Sequence, residues 1–185
     1  MNIETYKSFG LISIVLIWMT IGFMLKSLGP NKAKSISQHA ATHKRSFILF
    51  GLSLITAIVL FLIFTFRWLI PALELSPLFA IVAWVVATGF LIGAVIPDTT
   101  GWKHYTHQWA AWVAAWLMMV LVAIIGFSQH LTLLTRAMTF ILLPIMFGLW
   151  FWIVIKGRSR VKFLTFQIAY IICFHLVILN VTYLR

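Results

Sequence analysis

Long apolar runs alternate with short polar segments along nearly the whole chain. The six runs cover residues 9–25, 47–66, 78–96, 109–127, 137–155 and 163–184. An α-helix needs about 20 mainly apolar residues to cross the hydrocarbon core of a bilayer, and each run is close to that length. The pattern therefore predicts an all-α integral membrane protein, a six-transmembrane-helix bundle in which residues 1–185 form a single transmembrane domain.

The first apolar run is predicted to be a retained helix and not a cleaved signal peptide. A signal peptide carries basic residues before its apolar core and small residues at a cleavage site after it. Here Lys26, Lys32 and Lys34 follow the core, and Met24-Leu25-Lys26-Ser27 is a poor cleavage site.

The basic residues between the runs predict an orientation, because cytoplasmic loops carry an excess of Lys and Arg. Ten of the 14 basic residues lie in the loops after the first, third and fifth runs: Lys26, Lys32, Lys34, Lys44, Arg45, Lys103, Lys156, Arg158, Arg160 and Lys162. The other four lie on the opposite side: Lys7, Arg67, Arg136 and Arg185. We expect the three basic loops in the cytoplasm, both termini on the extracytoplasmic side, and residues 35–45 and 98–107 at one membrane face.

Composition narrows the class of protein further. Hydrophobic residues make up 63% and charged residues 9% of the chain, whereas a soluble domain carries roughly 25% charged residues. The net charge of +11 does not indicate nucleic-acid binding, because the cations stand in short blocks that suit loops facing anionic lipid headgroups. The lone Cys173 lies in an apolar run and provides no disulfide framework. We expect a multi-pass protein of the cell (plasma or inner) membrane with membrane lipids as partners.

Small residues in the third and fourth runs predict where two helices pack. Gly89 and Gly93 form a G-x-x-x-G motif, and Ala110 and Ala114 repeat the spacing in the fourth run. Such residues let helix backbones approach closely within lipid. A short polar segment joins the two runs, so we expect an antiparallel hairpin between them; the seam of a homo-oligomer is the alternative.

The polar segment between the third and fourth runs concentrates groups that support chemistry. Asp98 is one of three acidic residues, and His104 and His107 are three residues apart, which places them on one face of a helix. Together with His39 and His43 of the first loop, they form a candidate ligand set for a zinc-like metal ion. A metal-activated water would suit hydrolysis of a lipid headgroup or amide, with Asp98, His104 and His107 as candidate catalytic residues.

The same segment also has a purely structural interpretation. Asp98, or the pair Thr99-Thr100, is a natural N-cap for the fourth helix. His104 and His107 would then be interfacial residues of its first turns. The residues alone leave both interpretations open.

The sixth run contains three polar residues that we expect to be buried: Gln167, His175 and Asn180. An ionisable side chain at the depth of His175 should face the bundle interior. Haem ligation by His175 is one hypothesis, but it requires a second histidine at matching depth, and His130 and His104 lie toward opposite ends of the bundle. A hydrogen bond to Ser or Thr on another helix is the favoured prediction.

The first loop resembles a Ser-rich motif of the domain-of-unknown-function 998 family in the stretch Ser35-Ile36-Ser37-Gln38-His39-Ala40-Ala41-Thr42. The segments Phe50-Gly51-Leu52 and Ile96-Pro97-Asp98, the latter followed by a histidine, fit the layout of that family. Two histidines, at 104 and 107, stand where the family layout has one. The resemblance implies a six-span bundle without an established activity, similar in layout to Frag/DRAM/Sfk-type membrane proteins, whose analogy at fold level points to lipid organisation or membrane stress.

The leading functional prediction is a non-enzymatic membrane protein that contacts lipid headgroups or a partner membrane subunit through a cytoplasmic polar cluster. The predicted binding residues are Ser35, Ser37, His39, Asp98, His104 and His107, with Lys44 and Arg45 attracting phosphates. The competing prediction is a metal-dependent membrane-embedded hydrolase that acts on a lipid through the same residues. Haem binding through His175 is a third hypothesis.

Overall fold

The chain folds into helices, as shown by a computed structural model that describes residues 3–31, 34–156 and 162–185. The helices are α1 (Lys7–Leu28), α2 (Ile36–Ala40), α3 (Lys44–Phe64), α4 (Ile70–Leu73), α5 (Pro77–Val95), α6 (Trp102–Gly126), α7 (Leu133–Lys156) and α8 (Phe163–Tyr183). A 3-10 turn, Ile3–Tyr6, leads into α1, and a π-helical segment, Thr65–Leu69, joins α3 to α4. The basic residues Lys32, Arg158 and Arg160, used above for orientation, lie outside the described residues.

Six stretches within the described residues are long and apolar enough to cross a membrane. They are Ile3–Leu28, Lys44–Leu73, Pro77–Val95, Trp102–Gly126, Leu133–Lys156 and Phe163–Tyr183. The predicted all-α, six-span architecture is confirmed, and the chain is a polytopic membrane protein by the length and composition of its helices.

The helices extend past the apolar runs at several ends. The second span continues from Phe66 to Leu73 through the π-helical segment, and the fourth begins at Trp102 and not at Trp109. Apolarity marks only the part of a helix that lies in hydrocarbon, whereas the backbone ladder continues until a residue breaks it. His104 and His107 therefore lie on the first turns of α6.

The six spans form a ring with a central space. In the described residues, extensive contacts join α1 to α3, α3 to α5, α5 to α6, α6 to α7, and α7 to α8, while α8 meets α1 and α6 over smaller areas. The spans on this ring leave room between them, because the closing contacts of α8 are the sparsest.

Small residues set the closest approaches in the ring. A Cβ added at Gly89 would lie 3.0 Å from both the Ala110 carbonyl oxygen and the Ala114 Cβ, so α5 and α6 pack through the predicted seam. A Cβ added at Gly51 would lie 2.7 Å from the Ala94 carbonyl oxygen, which brings α3 equally close to α5. The antiparallel hairpin of the third and fourth spans is confirmed.

Both chain ends meet at one end of the bundle, called here the terminal end. The fully buried Trp68 indole has the Lys7 ammonium 5.1 Å and the Arg185 guanidinium 4.8 Å from its ring centroid. Lys7 pairs with Glu4 at 2.6 Å, and Arg185 donates to the Ala72 carbonyl oxygen. Cation–π contacts and these hydrogen bonds hold the N-terminal turn and the C-terminus beside the second span. The two termini are on the same side of the bundle, as predicted.

We expect Gly51→Ala to lower the melting temperature of the detergent-solubilised protein. The added Cβ would meet the Ala94 carbonyl oxygen at 2.7 Å, and a backbone atom of a packed helix cannot move aside cheaply. Overpacking of this kind costs about 1–3 kcal/mol. Gly22→Ala is the matched control, because nothing lies within 4 Å of its added Cβ. Equal losses in both variants would contradict the close approach of α3 and α5.

Candidate functional site

The first loop is organised by the five-residue helix α2 and its N-cap, Ser35. The Ser35 Oγ accepts from the Gln38 N–H at 3.1 Å, and the Gln38 Oε1 accepts from the Ser35 N–H at 3.1 Å. This reciprocal capping box satisfies two N–H groups that a short helix would otherwise leave without partners. The S-x-x-Q spacing of Ser35 and Gln38 is the sequence signal of this capping box. The cap holds the buried residues Ser37 and His39 over the end of the bundle.

Asp98 joins this loop to the fourth span. Its Oδ1 lies 2.6 Å from the His104 Nδ1, and its Oδ2 accepts from the Ser35 Oγ at 3.3 Å. The Ser37 Oγ lies 2.9 Å from the Ser35 Oγ, which extends the chain of hydroxyls. A buried carboxylate requires donors of this kind, because leaving water uncompensated is costly. The contact confirms that the two loops share one end of the bundle, called here the loop end, and the four residues Ser35, Ser37, Asp98 and His104 are called the polar cluster.

The capping role predicted for Asp98 or Thr99-Thr100 is wrong. The N-cap of α6 is Gly101, at φ 61° and ψ −143°, and glycine has no side chain that could accept a capping hydrogen bond. A positive φ favours glycine, which has no Cβ to clash with the backbone. With Gly101 as the N-cap, the Asp98 carboxylate turns instead toward His104 and the first loop.

His39 and His107 have their tautomers set by backbone partners. The His39 Nδ1 donates to the Ser35 carbonyl oxygen at 2.8 Å, and its Nε2 accepts from the Asn31 N–H at 3.0 Å. The His107 Nδ1 donates to the Ile96 carbonyl oxygen at 2.7 Å. A carbonyl oxygen only accepts, so each Nδ1 carries a proton, and in the neutral ring each Nε2 is an acceptor. Both nitrogens of His39 are used within the first loop.

The predicted metal ligands are therefore not brought together. Among the residues that the structure describes, no three His, Cys, Asp or Glu side chains lie close enough to hold a metal ion. Asp98 and His104 form a pair, His39 is occupied by Asn31 and Ser35, and His43 is exposed at the start of α3. The donor set does not fit a structural or catalytic zinc site, which takes three or four protein ligands.

Two cavities extend from the polar cluster into the bundle. The headgroup-side cavity, of about 110 Å³, is lined by three polar-cluster residues (Ser35, Ser37 and Asp98) and by α6, α7 and α8, including Gln108 and Trp112. The central cavity, of about 170 Å³, is lined mainly by apolar residues of α1, α3, α5, α6 and α8, with the polar side chains of Ser13, Thr20, Ser53 and His175 among them. Four residues line both cavities: Ser37, His107, Ala111 and Gln167. The two spaces therefore adjoin at the level where the polar cluster meets the hydrocarbon part of the bundle.

Gln167 of α8 ties the sixth span to the first loop. Its Oε1 accepts from the Ile36 N–H, the first of α2, at 3.0 Å. This leaves the two N–H groups of the Gln167 amide as donors beside both cavities. The sequence marks Gln167 only as a polar residue in the sixth run, and its partner follows from the fold. Asn180, the third polar residue of that run, is buried nearer the terminal end and lines neither cavity.

The predicted phosphate-attracting residues are outside these cavities. Lys44 and Arg45 are exposed at the start of α3 and line neither cavity. Asp98 is the only Asp, Glu, Lys or Arg among the described lining residues. The interior of the site therefore combines one hydrogen-bonded carboxylate with neutral polar groups.

His175 is bonded to Trp18 and not to the predicted Ser or Thr. The Trp18 indole N–H donates to the His175 Nδ1 at 2.9 Å, and the rings meet edge to face with centroids 5.9 Å apart. An indole nitrogen can only donate, so Nδ1 accepts and Nε2 carries the proton of the neutral ring. A protonated Nε2 is not a metal ligand, so this tautomer does not fit the haem hypothesis. No pattern in the sequence identifies Trp18 as the partner, because the two residues are 157 positions apart.

We expect Ser35→Ala to loosen the first loop. The substitution removes the N-cap of α2 and one donor to Asp98, and losing an N-cap costs about 0.5–2 kcal/mol. Amide hydrogen exchange in residues 36–43 should therefore accelerate by about 2- to 30-fold. Ser35→Thr should restore protection. Thr42→Ala, in the same loop with an exposed hydroxyl bonded only to the Gln38 carbonyl oxygen, is the control. Unchanged exchange in Ser35→Ala would show that the cap does not hold the loop.

We expect Trp18→Phe and His175→Phe to be coupled. Either change alone leaves a polar ring nitrogen without its partner inside the bundle, whereas the double variant removes both groups. The double variant should lose less stability than the two single losses combined, by about 0.5–1.5 kcal/mol. Thermal unfolding of the four proteins in one detergent measures this difference. Strict additivity would show that the contact does not contribute.

Comparison of the chain with protein-family models, curated proteins and solved structures finds no match. The resemblance to the domain-of-unknown-function 998 family stays a prediction. A function is therefore inferred from the geometry of the site itself.

Proposed function

We propose that this polytopic membrane protein binds a single membrane lipid, with its headgroup at the polar cluster and the carbons nearest the headgroup in the central cavity, whose volume of about 170 Å³ holds only part of one acyl chain. The observation that carries the proposal is the junction of the two cavities at Ser37, His107, Ala111 and Gln167. Polar groups on one side of this junction and apolar walls on the other match the two parts of an amphiphile. Lipids are the most concentrated amphiphiles around such a bundle.

Hydrogen bonding would decide which lipid is bound. An acyl chain that moves from the bilayer into an apolar cavity exchanges one hydrocarbon environment for another, so the hydrophobic effect favours neither. The headgroup instead exchanges the interface for the polar cluster and the groups beside it. Each well-formed hydrogen bond there contributes about 0.5–1.5 kcal/mol, and together they would provide the preference for one lipid.

Ala111 lies where the two cavities adjoin, because it lines both of them and is exposed there. We propose that a lipid reaches this point from the membrane between α6 and α8, which contact each other only sparsely. A lateral path of this kind would let a lipid enter the bundle without passing through water.

Hydrolysis has less support from the geometry. In a Ser-His-Asp hydrolase, histidine lies between the two other residues and takes the proton from serine. Here the carboxylate of Asp98 lies between Ser35 and His104, and the predicted metal ligands do not converge. We therefore propose lipid binding and not lipid hydrolysis.

We also propose that the loop end faces the cytoplasm, because the loops rich in Lys and Arg lie at that end. Contact with a partner membrane subunit is a second possible role of the loop end.

Ala111→Phe should abolish lipid retention. The larger side chain would fill the junction of the two cavities, and the exposed position tolerates its size. The measurement is the amount of lipid per protein that survives purification in detergent, extracted and quantified by mass spectrometry. We expect a stoichiometric lipid in the wild type and at least a fivefold reduction in the variant.

Val113→Phe is the matched control, because Val113 is 43% exposed on the same helix and lines neither cavity. It should retain lipid as the wild type does. Equal lipid content in all three proteins would overturn the proposed function. Equal melting temperatures would show that the comparison does not reflect unfolding.

A further inference from the structure

The wall of the headgroup-side cavity offers donors and acceptors without a cation. The His107 Nε2 is an acceptor because its Nδ1 donates to the Ile96 carbonyl oxygen. The Gln167 amide keeps its N–H donors because its Oε1 is bonded to Ile36. Gln108, on α6, adds one amide with both capacities. A ligand group that both donates and accepts complements this wall.

A phosphate group does not complement it. Phosphate recognition depends on Arg, Lys or a series of backbone N–H groups that supply positive charge. None of the described lining residues is Lys or Arg, and the one charged side chain, Asp98, would repel an anion. Lys44 and Arg45 are exposed outside, where they suit the phosphates of ordinary surrounding lipid.

A cationic headgroup is disfavoured for a different reason. The Asp98 side chain is only 1% exposed, and its oxygens already face the Ser35 hydroxyl and the His104 ring. An ammonium group could approach this carboxylate only by breaking the contacts that hold the first loop. The accessible part of the wall is neutral.

We propose that the bound lipid has an uncharged headgroup with a free hydroxyl, as in a diacylglycerol or a related neutral lipid. The hydroxyl hydrogen is donated to the His107 Nε2, and the hydroxyl oxygen accepts from the Gln167 amide. The inference rests on the proposed lipid-binding function and specifies its ligand class. Selectivity for an uncharged lipid would follow from the absence of Lys and Arg among the described residues of the cavity wall.

The test uses a dioleoylglycerol with a diazirine near the carboxyl end of one acyl chain, the part that the central cavity can hold, cross-linked to the purified protein in detergent micelles. Unlabelled dioleoylglycerol and dioleoylphosphatidic acid compete, because they share both chains and differ only by the phosphate. We expect dioleoylglycerol to suppress cross-linking at a mole fraction at least tenfold lower than phosphatidic acid. Cross-links should fall on residues of the central cavity and be lost in Ala111→Phe.

A gain-of-function variant provides the second arm. Gln108→Lys adds a cation to the headgroup-side cavity at a half-buried position of α6, and it should shift the preference at least tenfold toward phosphatidic acid. Thr42→Lys, which adds the same cation to the first loop at an exposed position outside both cavities, should not shift it.

The outcomes separate the two proposals. Stronger competition by phosphatidic acid in the wild type, with cross-linking still lost in Ala111→Phe, would overturn the uncharged headgroup and retain lipid binding. Cross-linking that neither lipid suppresses and that Ala111→Phe leaves unchanged would overturn lipid binding itself. An unchanged preference in Gln108→Lys would also contradict the assignment of the headgroup to this cavity.

Discussion

The buried carboxylate of Asp98 is the interaction on which the loop end depends. It accepts hydrogen bonds from Ser35 of the first loop and pairs with His104 on α6, so it connects segments that are 63 residues apart in the chain. A carboxylate on a side chain that is only 1% exposed is stable only while such partners surround it. The first loop must therefore stay folded over the bundle, where its helix α2 covers the two cavities.

The first loop is held in place by hydrogen bonds that leave few polar groups of its described residues unused. Ser35 caps α2, His39 bonds at both ring nitrogens, and Gln167 reaches the first N–H of α2 from the sixth span. At a membrane interface these bonds keep polar backbone groups satisfied where water is scarce. The residues left to face a ligand are those with one capacity still available, chiefly His107, Gln108 and the Gln167 amide N–H groups. In the proposed function, structural roles thus fall to the first loop and Asp98, and binding roles fall to neighbouring residues of α6 and α8.

The bundle beneath the first loop combines tight and sparse contacts between helices. Gly51, Gly89 and Ala114 let α3, α5 and α6 pack with backbones nearly in contact. The sixth span closes the ring over smaller areas and borders both cavities. Because lipid provides no hydrophobic drive between helices, a ring with one rigid side and one sparse side can keep an internal apolar space. In the proposed function, that space would receive the part of the lipid nearest its headgroup.

Local chemistry was enough to predict the class and much of the layout. Six apolar runs of bilayer length require helices, because unpaired backbone groups are costly in hydrocarbon, and the G-x-x-x-G seam predicted the packing of α5 on α6. Counting spans also predicted that Ser35 and Asp98 lie at the same end of the bundle. Helix ends did not follow, since apolarity reports the lipid boundary and not the end of the hydrogen-bond ladder. The hydrogen-bond partners of the histidines did not follow from the sequence either, because they lie in distant or irregular segments. These pairs are His175 with Trp18, His107 with Ile96 and His39 with Asn31.

What the sequence by itself determined is which segments cross the membrane and which end each polar loop occupies. Only the tertiary structure decided which nitrogen or oxygen of each polar group stays available for a ligand, because that depends on the position of its neighbours in space.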